Sequence, residues 1–170
     1  MKTNSIQVGG IYHDNKQGVR EVLEINKVTQ GRLKYRILAA KVEKEYSYAD
    51  KAEVSLIGTE NSCNLESFAR WAKTIVPPER KDALLTELAA KKLRLAPGEA
   101  RFMASVAEAF DDEFPIKTGV TVSFDFRETR LARGIEKKGL GTVALAPPGA
   151  GGEIKLTELG AAWIRLRRAA

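Results

Sequence analysis

From residue 6 to residue 58 apolar and polar positions alternate with period two. In residues 31–40, GRLKYRILAA, Leu33, Tyr35 and Ile37 share one face while Arg32, Lys34 and Arg36 share the other. In residues 18–28, GVREVLEINKV, Val19, Glu21, Leu23 and Ile25 alternate with Arg20, Val22 and Glu24. Alternation with β-branched and aromatic residues predicts half-buried strands. IQVGGIYHD before them and AEVSLIG after them are further strand candidates, and Asn26 and Gln30-Gly31 mark turns. Four or five short strands in about 55 residues predict a small, strongly curved sheet or barrel.

The period then lengthens. Asn64 can cap a helix in which Leu65, Phe68, Ala69, Ala72 and Ile75 form one stripe. Pro77-Pro78 stops it, and Pro78 suits the first turn of the next helix, where a missing N–H costs nothing. Leu84, Leu85, Leu88 and Leu93 supply that helix's apolar face; Lys91, Lys92 and Arg94 sit at its C-terminal end, as the macrodipole favours. A third helix follows Pro97, with Phe102, Met103, Val106 and Phe110 at helical spacing. Trp71 and Trp163 read as core anchors.

Toward the C-terminus the punctuation is dense. Asp125 and Glu128 have capping-box spacing ahead of a helix with Leu131 and Ile135 on its inner side. Gly134 weakens that helix by about 1 kcal/mol relative to Ala. Gly139 is placed as its C′ residue. LGTVALA and GEIKLTE flank PPGAGG and predict a hairpin, after which Thr157 can cap a last helix with Leu159, Ala162, Trp163 and Leu166 inward.

LARGIEKKGLGTVAL followed by EIKLTELGAAWI resembles the end of a winged-helix domain of the MarR-type regulator class. Leu131, Ile135, Glu136, Lys138, Gly139 and Leu140 stand where that family ends its recognition helix; Leu156, Thr157, Glu158 and Gly160 stand where its closing helix begins. The likeness implies a helix docked in the DNA major groove and a hairpin wing reaching an adjacent phosphate or the minor groove. It implies that Arg127, Thr129, Arg130 and Arg133 lie toward DNA, with Lys137 at the helix end and Lys155 on the wing. The family's scaffold helix is missing: residues 111–126, DDEFPIKTGVTVSFDF, contain Pro115, Gly119 and a β-branched run. Either that helix is reduced to a turn or the segment is another strand. The acidic Asp111-Asp112-Glu113 nearby would repel phosphate. The first 60 residues more loosely resemble an SH3-like barrel.

Charge sharpens this picture. The net charge is +6, and residues 127–170 hold nine Lys/Arg against four Glu, whereas residues 1–126 hold 19 basic and 18 acidic residues. A basic end points to a polyanion such as nucleic acid, or is a solubilising surface. No apolar run is long enough to span a bilayer, MKTNSIQVGG has no signal-peptide character, and a lone Cys63 suits a reducing cytoplasm.

Candidate chemistry is sparse. One His and one Cys exclude the usual zinc sets. His13 beside Asp14 has no nucleophile pattern near it and reads as a loop histidine, and Cys63 as a small packing residue. Gly149, Gly151 and Gly152 lack the lysine and spacing of a phosphate loop and read as a wing tip. Tyr12, Tyr35, Tyr46 and Tyr48 are either base-stacking platforms or barrel core and rim. No enzyme, cofactor or metal is expected.

The expectation is therefore an α+β protein: a small β-barrel-like domain over 1–62, a helical linker over 63–95, and a winged-helix-like domain over 96–170. The functional expectation is a cytoplasmic regulator binding double-stranded DNA, a possible homodimer through the helices at 64–94. The alternative is a protein-interaction adaptor or inhibitor acting on a nucleoprotein complex, in the manner of small phage or mobile-element accessory proteins.

Overall fold

A computed structural model describes residues 1–26, 31–110, 116 and 118–168. The chain is mixed α+β and divides into two compact units, Met1–Leu85 and Thr86–Ala170.

The first unit contains β1 (Ile11–His13), β2 (Val19–Asn26), β3 (Arg32–Ala39), β4 (Lys44–Ser47), β5 (Ala52–Ser55), β6 (Glu60–Asn64), α1 (Leu65–Trp71) and β7 (Thr74–Val76). Five strands form an antiparallel sheet in the order β6-β3-β2-β1-β7, and β4 and β5 pair separately. No ladder joins β6 to β7 among the described residues, so the expected barrel is instead an open sheet. The physical reason is what covers the apolar face. A barrel buries its interior against itself, whereas this sheet packs against α1. Phe68, fully buried, meets Tyr12 edge-on at 5.6 Å and Tyr35 at 5.7 Å. The Tyr12 hydroxyl accepts from the Gln7 N–H at 2.8 Å and donates to the Ser5 carbonyl at 3.1 Å, satisfying a buried polar group.

β3 keeps the predicted alternation, with Leu33, Tyr35 and Ile37 inward. β2 does not. Register shifts between Val19 and Arg20 and between Val22 and Glu24 bury Val22 together with Val19. A bulge inserts one residue and swaps the faces beyond it, so strict alternation misassigns Val22 and Leu23. Asn64 caps α1 as expected, accepting from the Glu66 N–H at 2.8 Å. The expected stripe reaches Ile75, but α1 ends at Trp71. Thr74–Val76 pairs with β1 instead, leaving Ile75 opposite Tyr12 and 49% exposed. A β-branched run next to an unpaired sheet edge favours ladder over helix.

The boundary between the units falls within α2 (Lys81–Lys92), which follows a short 3₁₀ turn, Pro78–Arg80. The second unit continues with α3 (Pro97–Glu108), β8 (Thr121–Phe124), α4 (Thr129–Lys137), β9 (Gly141–Leu145), β10 (Gly152–Leu156) and α5 (Glu158–Arg168). The three strands form an antiparallel sheet in the order β8-β10-β9. Phe102, Met103, Ile135, Leu140, Ile154 and Trp163 lie in its core. Of the two alternatives for the residues before α4, the strand is the one adopted. Val120–Val122 could not extend a helix cheaply, and pairing with β10 satisfies their backbone. The acidic run at 111–113 lies outside the described residues.

Candidate nucleic-acid interface

The candidate site is the outer side of α4 and the hairpin that follows. Asp125 opens the segment: its carboxylate accepts from the Arg127 N–H at 2.9 Å, and Glu128 returns a bond from the Asp125 N–H at 3.1 Å. That reciprocal box holds a 3₁₀ turn, Phe126–Glu128, from which α4 begins. Ala132 and Ile135 are fully buried and Leu131 partly so; they set the inner face. Arg127, Arg130, Arg133 and Lys137 recur at spacings of three and four and are all exposed on the outer face.

Their commitments differ. Arg130 and Lys137 have no ion-pair partner among the described residues. The Arg127 guanidinium lies 5.6 Å from the ring of Phe126, which is 51% exposed. Arg133 is engaged: its Nη1 lies 2.5 Å from Glu136 Oε2. The other oxygen of Glu136 accepts the Val143 N–H at 2.9 Å, tying the end of α4 to β9. The Val143 amide first, and Arg133 second, hold the Glu136 carboxyl below the usual carboxylate range. Thr129, the first residue of α4, is half-buried.

Lys138 leaves this face altogether and pairs with Glu99, which also accepts the Ala96 N–H at 2.9 Å. Lys138, ahead of that backbone bond, keeps the Glu99 carboxyl low. Lys155 is exposed on β10, opposite Thr121 and Thr142, on the sheet face away from buried Ile154 and Leu156. The arrangement thus brings together Arg127, Arg130, Arg133 and Lys137, while Lys155 belongs to a sheet face rather than to that helical stripe.

Phe126 is the residue that sequence reasoning missed. Its signal was an aromatic placed directly after the capping Asp125, in the first turn ahead of the α-helix. Of the four tyrosines, Tyr12 and Tyr35 are core, whereas Tyr46 and Tyr48 are exposed on the β4–β5 hairpin and meet edge-on at 5.2 Å. Elsewhere, His13 Nε2 is buried without a hydrogen-bond partner among the described residues, 3.8 Å from Asp14. Cys63 is half-buried, and burial pushes its thiol up. No group of three or more His, Cys, Asp or Glu is placed to hold a metal ion among the described residues, and none of their helices is long and apolar enough to cross a membrane. No family model, curated protein or solved structure matches the chain.

Proposed function

We propose that this is a DNA-binding protein, a transcriptional regulator or accessory factor whose C-terminal unit acts as a winged-helix-like module. It docks α4 on the duplex and uses the β9–β10 hairpin as a wing. The observation that carries the reading is the outward stripe of Arg127, in the 3₁₀ turn, and Arg130 and Lys137, on the α-helix that follows and leads directly into a hairpin. A nine-residue helix fits the major groove, about 12 Å wide, and guanidinium groups serve both phosphate and guanine.

A second reading has its own support. Only a 3₁₀ turn separates β8 from α4, so the preceding helix, α3, is set apart from the stripe by a strand instead of leading into it through a tight turn. Arg133 is already paired, and Tyr46 and Tyr48 offer an exposed aromatic pair in the other unit. These favour a protein-interaction adaptor or inhibitor.

Shift assays of the full chain on random duplex distinguish the two. If three or four cations meet phosphate, affinity falls on the order of a hundredfold between about 50 and 200 mM salt. Arg130→Ala with Lys137→Ala then lowers the salt slope by about two, and Glu136→Gln, which releases Arg133, raises it by about one. Absence of binding at low salt, or a slope indifferent to these changes, would favour the adaptor.

A further inference from the structure

The C-terminal unit contains a cavity of about 670 Å³ that the α4 stripe does not use. Its floor is apolar: Met103, Ala104, Ala107, Trp163 and Ile164, from α3 and α5. Lys91, Arg94 and Arg167 stand around it, and none of the described residues that line it is acidic. Two of its cations are held in place. The Arg167 guanidinium stacks 4.9 Å from the Trp163 ring centroid, and Arg168, also lining the cavity, donates to the Ala107 carbonyl at 2.5 Å.

Volumes of about 300–1,000 Å³ with apolar walls and a few fixed polar groups are those of small-molecule sites. Lys91, Arg94 and Arg167, with no acidic residue among the described lining, repel one another, and an anion relieves that repulsion. Guanidinium groups already ordered by stacking and by a backbone carbonyl lose little further freedom when it arrives. We infer that this cavity binds an amphiphilic organic anion. The apolar body would lie on Met103 and Trp163, and the carboxylate or comparable acidic head would lie among Arg94, Arg167 and Lys91. The polarisable Met103 thioether accommodates either an aliphatic or an aromatic body. The inference does not depend on the DNA-binding reading.

Calorimetric titration of the full chain with decanoate and with decyltrimethylammonium tests it. Saturable decanoate binding is expected, at least tenfold tighter than that of the cation. Arg94→Gln with Arg167→Gln should abolish that preference. Ala104→Phe, at a solvent-exposed position on α3, should block decanoate while leaving the circular dichroism unchanged. Equal affinity for the two amphiphiles, or decanoate binding that survives Ala104→Phe, overturns the proposal. So does a dimer in sedimentation that Ala104→Phe dissociates, since a second copy would then cover this face.

Discussion

The Thr157 hydroxyl donates to the Gly139 carbonyl at 2.6 Å and accepts from the Gly160 N–H at 3.2 Å. One side chain therefore closes the C-terminal end of α4 and opens α5. The Thr157 N–H adds a bond to the Leu140 carbonyl at 3.1 Å. KKGLG and LTELG, 18 residues apart at their bonded atoms, are two halves of one junction.

Thr157→Ala removes an N-cap and leaves a carbonyl without this donor. We expect a loss of about 1–2 kcal/mol, read as a lower urea midpoint for the C-terminal unit. Thr157→Ser restores most of it, because the hydroxyl and not the methyl makes both bonds. Equal losses in the two variants would show that packing of the methyl matters instead.

At Gly160 two effects oppose each other. Alanine improves helix propensity by about 1 kcal/mol, but its Cβ would come within 1.9 Å of the Leu140 carbonyl oxygen. That atom is backbone and is held by Thr157, so it cannot move aside cheaply. Overpacking of about 1–3 kcal/mol or more prevails, and Gly160→Ala lowers the Tm. A Tm at or above that of the parent chain would refute the close approach.

Glu136 and Glu99 both have lowered carboxyl pKa values in the folded chain. A carboxylate with a lowered folded value binds fewer protons than in the unfolded chain, so its stabilisation is present above the unfolded value. It fades as pH falls from there, about 4.3, through the lowered folded value. Unfolding followed by urea at steps from about pH 6 to pH 3 should show stability decreasing over this window. Glu136→Gln flattens part of that slope, since the amide does not titrate. An unchanged slope in Glu136→Gln contradicts the Val143 and Arg133 contacts.

Arg20 lies over two rings in the N-terminal unit, 4.5 Å from the centroid of Tyr35 and 4.1 Å from that of Trp71. The guanidinium is within cation–π distance of two negative π surfaces. Arg20→Ala should cost about 1–2 kcal/mol, measured by thermal unfolding followed through tryptophan emission. Arg20→Lys should recover a minor share, because an ammonium cannot stack flat. Recovery in full by lysine would reduce the contact to simple charge.

Chain order and period alone determined β3, α3 and nearly everything from Asp125 to Arg168. The signals there are local. Leu33, Tyr35 and Ile37 alternate without a bulge. Phe102, Met103 and Val106 follow one helical face. Asp125, Gly139 and Thr157 mark ends through bonds reaching only to near neighbours or to a single partner segment. Tertiary structure alone decided the rest, because the outcome depended on which distant group won. Pairing with β1 took Ile75 out of its helical stripe, and the ladder between β2 and β3 admitted the bulges that bury Val22. Phe68 covered the sheet that would otherwise have had to close upon itself. At the candidate interface the spacing of the arginines was readable from the chain. That Glu136 holds Arg133 while Arg130 stays without an ion pair among the described residues was not. A rotamer chooses among partners only once β9 has brought the Val143 amide to the end of α4.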